Sequence, residues 1–232
     1  MRPTELRQLR SLQLFENMNE SQFDALMQAA YLQHFPAQVQ LITEGDEADF
    51  LFVVIEGCVE LFATANGREA TLTMVRPVST FILAAVFKDA VYLKSGRTLE
   101  KSRVLMIPSQ NIREAFENDD AFARAIVIEL ANGYREEVKE HKNLKLRSAV
   151  ERLANRLLKY HNDQGGNGHI KLPYGKRTLA SLLGMTPENL SRAFGTLKPY
   201  GVDVDGGKVT FSDLESLKTL AKPDPLIDDR AT

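Results

Sequence analysis

Leu179-Ala180-Ser181-Leu182-Leu183-Gly184-Met185-Thr186-Pro187-Glu188-Asn189-Leu190-Ser191-Arg192-Ala193-Phe194 is the stretch that decides how this chain reads. Leu179, Leu182 and Leu183 recur at helical spacing and give a first helix an apolar face. Gly184 predicts its end, because glycine takes the left-handed C-terminal conformation without steric cost. Thr186 then suits an N-cap and Pro187 a first helical position, so a second helix starts there. Within it Leu190, Phe194 and Leu197 point inward, while Glu188, Ser191 and Arg192 stand at i, i+3 and i+4 on the opposite face. Two short helices joined by a tight turn form the layout that admits one helix to the DNA major groove. There an arginine can bind guanine bidentately, a glutamate can accept from cytosine N4, and a serine can serve either role. The plainer alternative is a surface helix that carries three polar residues.

Charge favours the first reading. The net charge of the 232-residue chain is only −2, yet it is unevenly spread. Residues 142–222 carry 14 Lys/Arg against 7 Asp/Glu, whereas the remainder carries 15 against 24. A basic block around the two helices is what phosphate neutralisation requires, and the acidic remainder argues for a reading module attached to something else. Lys176, Arg177, Thr186, Lys198 and Lys208 are the phosphate-contact candidates, with ordinary surface residues as the alternative for each.

Composition excludes several classes. Cys58 is the only cysteine, so one chain can form neither an internal disulfide, an iron–sulfur cluster nor a cysteine-rich zinc site. No apolar run approaches the ~20 residues of a membrane span, and Met1-Arg2-Pro3-Thr4 lacks the pattern of a secretion signal. A cytoplasmic protein without a membrane partner is expected. No strand-linked glycine-rich phosphate loop, Ser/His/Asp set or zinc-ligand spacing is present, so an enzyme is not expected.

Upstream, residues 5–33 read as helical, with a break at Asn19-Glu20-Ser21. From His34 to Met106 short β-rich runs (39–42, 50–55, 59–62, 70–75) alternate with turn signals, and Asn66-Gly67 marks a hairpin. That spacing predicts an antiparallel roll over residues 1–118 together with the N-terminal helices. A short helix over 109–117 leads to a long one over 119–143. In it Val127, Leu130, Tyr134, Val138 and His141 form a coiled-coil-like seam, which predicts a homodimer. Asn143 reads as a hinge. A second domain over 144–222 adds a helix, a strand at His169–Leu172, the two-helix motif, a β-hairpin wing over 201–211 and a last helix. Residues 223–232 read as a disordered tail.

With roll, long helix and winged helix-turn-helix in that order, the chain resembles the CRP/FNR family of bacterial transcription regulators over residues 12–221. Leu14-Phe15, Glu44-Gly45-Asp46, Glu56-Gly57-Cys58-Val59, Gly67-Arg68-Glu69 and the helix-turn-helix carry the resemblance. It implies an α+β fold with an N-terminal cyclic-nucleotide-binding-like roll, a long dimerisation helix and a C-terminal winged helix-turn-helix. It also implies a homodimer on double-stranded DNA and contact with RNA polymerase. Glu188-x-x-Ser191-Arg192 is similar to the FNR-type recognition helix, which implies TTGAT-like half-sites in a palindrome.

Departures from the family bear on the signal. Cyclic-nucleotide binders carry a Gly-Glu-Leu turn and an Arg-Ser/Thr pair, where this chain has Ser79-Thr80-Phe81-Ile82-Leu83-Ala84 and, near the phosphate arginine's place, Tyr92. Pro77-Val78-Ser79 replaces the usual Pro-Gly-Asp. A cyclic phosphate buried against Phe81, Ile82 and Leu83 would lack a cation, so cyclic AMP is not expected; Arg97 could supply one only through a gap in register. Phe81, Ile82, Leu83 and Leu130 are the expected sensor pocket. Besides a binder of a cyclic-nucleotide-like effector, two readings stay open. One, similar to the NNR, DNR and NnrR branches, is a gaseous or apolar signal such as nitric oxide acting through haem. His34, Cys58 and His141 are its ligand candidates, followed by His161, His169 and Met74. The other is a ligandless, FixK-like regulator controlled by its abundance.

Overall fold

The computed structural model describes residues 2–88 and 90–229, which divide into two compact units, Met1–Gly133 and Tyr134–Thr232. The first unit opens with two helices, α1 (Pro3–Arg10) and α2 (Glu20–Ala29). Eight strands follow: β1 (Tyr31–Phe35), β2 (Gln40–Ile42), β3 (Phe50–Glu56), β4 (Val59–Ala65), β5 (Arg68–Val75), β6 (Ser79–Phe81), β7 (Ser95–Thr98) and β8 (Ser102–Pro108). They pair antiparallel in two four-stranded sheets, ordered β1-β8-β3-β6 and β2-β7-β4-β5. Asn66-Gly67 is the two-residue link of the β4–β5 hairpin, with Ala65 paired to Arg68.

Strand β3 explains the layering. Leu51, Val53 and Ile55 face the helices, in a core with Phe15, Leu26, Ile112, Phe122 and Ile126. Phe52 and Val54 face the inside of the roll, with Val59, Leu61, Phe81, Tyr92 and Val104. Both faces are dry, so the run is apolar throughout rather than alternating. Between β3 and β4, Gly57 holds a left-handed φ of +92°, and a Cβ there would collide with Ser102, whose hydroxyl accepts from the Cys58 amide at 3.3 Å.

Helix α3 (Leu83–Lys88) interrupts the strands, and α4 (Ser109–Asn118) and α5 (Asp120–Leu146) close the unit. Asp119 is buried and sets the start of α5: its carboxylate accepts from the Phe122 amide at 2.9 Å and from the Asn19 amide at 2.6 Å.

The second unit takes up the distal part of α5 and adds α6 (Ala149–Asp163), β9 (His169–Lys171), α7 (Lys176–Leu182) and α8 (Pro187–Leu197). A 3-10 turn at Lys198–Tyr200 leads to β10 (Val202–Asp205), β11 (Lys208–Phe211), α9 (Leu214–Ala221) and α10 (Pro225–Asp228). The wing sheet has the order β10-β11-β9. Ser148 and Glu151 form a reciprocal capping box at the start of α6.

Four expectations need correction. Tyr31–Phe35 is a strand paired along β8, because its backbone completes a sheet edge that helical continuation would leave open. Helix α3 was not expected; its six residues are too few to show a period. Asn143 is no hinge: α5 runs through it to Leu146, its side chain is buried, and the break falls at Arg147-Ser148. Where a disordered tail is expected, Pro223–Asp229 holds the short helix α10, which Asp224 caps, and Asp228 pairs with Arg147; the last three residues of the expected tail lie outside the described residues.

Candidate nucleic-acid interface

Helix α8 carries the two faces its spacing predicts. Leu190, Ala193, Phe194 and Leu197 are buried in one core with Leu153 and Leu157 of α6, Leu179 and Leu183 near α7, and Val209 of the wing. Glu188, Ser191 and Arg192 are exposed, as are Asn189 and Thr196 beside them. Thr186 caps the helix, its hydroxyl accepting from the Asn189 amide at 3.2 Å. Hydrogen bonds from its own amide and from the Thr186 hydroxyl hold the Glu188 carboxyl below the usual range, and the Arg192 charge adds to this. Glu188 is therefore ionised at the start of the helix.

Gly184 makes the turn at a φ of +61°, and a Cβ there would lie 2.9 Å from Leu144 of α5. Just before it, the Leu183 carbonyl accepts from Arg152 Nε at 2.8 Å, which fixes the end of α7 to α6. Reasoning from sequence missed Arg152, since no local pattern marks an arginine whose partner lies 31 residues away.

The phosphate candidates are all exposed but differ in place. Lys176 and Arg177 occupy the first turn of α7, and Thr186 sits at the N-cap of α8. Lys198 lies past the far end of α8, roughly 15 Å along the axis from Pro187. Lys208 opens β11 opposite Asp205, and Asp203 shares that exposed face of β10, so the wing carries acid beside its base.

On α5, Val127, Tyr134 and Val138 are 60%, 72% and 41% exposed, and His141 is exposed with them. Leu130 departs from this seam: it is half-buried and packs on the helix-facing core of the roll. The four expected sensor residues do not form one pocket. Phe81 stacks on Phe52 inside the roll with ring centres 5.0 Å apart, and Ile82 packs there too, while Leu83 and Leu130 belong to the core on the other side of β3.

Arg97 is not a phosphate ligand in waiting. Its neighbour Gly96 faces Ile42 and Leu61 inside the roll, so Arg97 points outward. There it lies over the Phe62 ring, pairs with Glu69 at 2.6 Å and with buried Glu60 at 2.7 Å, and these carboxylates raise its pKa further. Burial pushes the Tyr92 phenol up, so that side chain stays neutral.

The haem-ligand candidates are scattered. His34 is exposed on β1, and His141 is exposed in the other unit. Cys58 is buried and its thiol is pushed up, first by that burial, which keeps it protonated. His161 is buried edge-on against Phe211 and accepts from the Gly168 amide at 3.4 Å, His169 is exposed on β9, and Met74 is half-buried on β5. Among the described residues no three His, Cys, Asp or Glu side chains are placed to hold a metal ion.

Residues 32–119 match the cyclic nucleotide-binding domain, and residues 151–220 match the Crp-like helix-turn-helix domain. The chain belongs to the CRP/FNR family of transcription regulators. It is 23% identical over 215 residues to the CRP-like cAMP-activated global transcriptional regulator of Mycobacterium tuberculosis, covering 90% of this chain and 96% of that one. FixK2 from Bradyrhizobium japonicum shares the fold at a TM-score of 0.72 and 20% identity, over 84% of this chain and 98% of that one. DNR from Pseudomonas aeruginosa does so at 0.53 and 23%, over 95% and 99%. This CRP/FNR chain is thus a DNA-binding transcription regulator, and no helix among its described residues is long and apolar enough to cross a membrane.

Proposed function

We propose that this regulator works as a homodimer that seats one α8 in each half of a palindrome with TTGAT-like half-sites about one helical turn apart. The observation that carries the reading is the split of α8, with Glu188, Ser191 and Arg192 exposed at its N-terminal end and Leu190, Phe194 and Leu197 locked in the core beneath. Glu188, Ser191 and Arg192 read base edges, whereas Lys176, Arg177, Thr186, Lys198 and Lys208 meet phosphates. Val127, Tyr134, Val138 and His141 supply the dimer seam, and RNA polymerase is engaged once the pair is on DNA.

The relative in Mycobacterium is cAMP-activated by name. Here the phenyl ring of Phe81 fills the roll against Phe52, and the nearby arginine is spent on Glu60 and Glu69 outside it. A cyclic phosphate would meet no partner from these groups, so the reading that fits is a regulator set by its abundance rather than by a cyclic nucleotide or haem.

Binding of the full chain to a TTGAT palindrome and to a scrambled duplex, across a salt series and with or without cyclic AMP, tests this. The expected result is at least ~10³-fold preference for the palindrome, a steep salt slope and no response to cyclic AMP. Equal affinity for both duplexes, or binding insensitive to salt, overturns the DNA reading; tightening by cyclic AMP overturns the ligandless one.

A further inference from the structure

Pro223–Asp229 returns to the junction between α5 and α6. Arg147 is the one residue between Leu146, the end of α5, and Ser148, the cap of α6. Its side chain is only 7% exposed, and it donates to both oxygens of Asp228, at 2.8 and 2.5 Å. The Asp224 amide donates to the same carboxylate at 2.7 Å, and Asp224 in turn caps α10 by accepting from the Leu226 amide at 2.8 Å. A second tie lies about two turns up α5, where the buried Lys139 ammonium donates to the Asp229 carbonyl at 2.9 Å.

The same junction is wired to the reading helices. Arg152 donates to the Arg147 carbonyl at 2.7 Å and to the Leu183 carbonyl at 2.8 Å, directly before the Gly184 turn. A continuous run of hydrogen bonds thus leads from Asp228 through Arg147 and Arg152 to the helix-turn-helix. The cleft beneath, about 690 Å³, is lined by Lys139, Arg147, Arg156 and Lys159 and also by Glu136, Glu140 and Asp163, with Lys139 paired to Glu136 and Arg156 to Glu140. Arg147 is buried on its side of this bidentate pair while the Asp228 side chain is 31% exposed, so loss of the aspartate leaves a nearly buried guanidinium without that charge partner.

We infer that Pro223–Asp229 is a strap that locks the α5–α6 junction, and through Arg152 the reading helices, in one setting, and that its release loosens DNA binding. The DNA-binding half of this inference rests on the function proposed above; the locking half does not.

The test uses the full chain, Asp228→Asn, Asp228→Glu, and a chain ended after Lys222, each followed by amide hydrogen exchange and by titration with the palindrome. Release is expected to speed exchange at residues 143–150 and 183–186 about tenfold or more in Asp228→Asn and in the shortened chain, with the roll unchanged. Asp228→Glu keeps the charge and stays within about threefold of the parent. Palindrome affinity should fall at least about threefold in the two released chains while the salt slope holds, since no phosphate contact is lost. Exchange within twofold of the parent in the shortened chain overturns the strap. Faster exchange with unchanged affinity overturns its coupling to DNA. Failure of the parent to bind the palindrome sinks the functional reading, and exchange then still decides the lock.

Discussion

Arg192 stands one helical turn after Glu188, both exposed, with the carboxylate held ionised beside it. That placement separates two roles an arginine can have on DNA. If it reads a base edge, Arg192→Ala weakens binding by about 1–3 kcal/mol and relaxes preference at one position of each half-site. Competition titrations against duplexes changed one base pair at a time measure this, and an equal loss on every duplex would mean a phosphate contact instead. The pair was legible in the sequence because i, i+4 spacing is local. Arg147 and Asp228 were not, because a contact 81 residues long leaves no periodic trace. Nor were the partners of Arg97, since Glu60 and Glu69 reach it only through sheet register.

Helix α1 depends on a single acid. The Glu5 carboxylate accepts from the Arg2 amide and from the Arg2 Nε, each at 2.7 Å, and meets buried Arg103 of β8, whose other hand holds Glu56. The Arg2 amide, then the Arg2 guanidinium, outweigh burial and lower the Glu5 pKa to about 2. Its folded value lies below the unfolded value of about 4.3, so this anchoring is in full force above that value and is lost as pH falls towards 2. A carbon-detected NMR titration of the Glu5 carboxyl should give a midpoint near 2; a midpoint near 4.3 would mean that the helix is not held this way. At this scale the sequence spoke clearly where a cap or turn residue marks an end, as at Thr186 and Asn66-Gly67. It was silent about α3 and misread Tyr31–Phe35, where pairing with a distant strand outweighs local pattern.

For the whole molecule, the order of roll, long helix and winged helix was readable because each segment has its own period and its own turns. Which apolar residues of α5 face the chain's own core was not. Leu130 turned inward while Val127, Tyr134 and Val138 stayed exposed, and a heptad pattern fits either outcome. The exposed three bear on assembly directly. Tyr134→Glu leaves each chain folded, since the side chain contributes to no core, but weakens self-association at least tenfold, about 1.4 kcal/mol. Sedimentation at several concentrations reads this as a shift towards the monomer mass. An unshifted dimer would place the seam elsewhere.

Strand β3, dry on both sides, has a consequence for how this chain avoids misfolding. A one-residue slip would trade Leu51, Val53 and Ile55 for Phe52 and Val54, and either set is greasy enough for either side, so polarity raises no objection. The safeguard has to be shape. At Gly57 the chain passes Ser102 so closely that no residue with a side chain fits, and a shifted strand would thrust Glu56 or Cys58 into that gap. One hydrogen atom in place of a methyl group thus acts as the alignment key for both interiors.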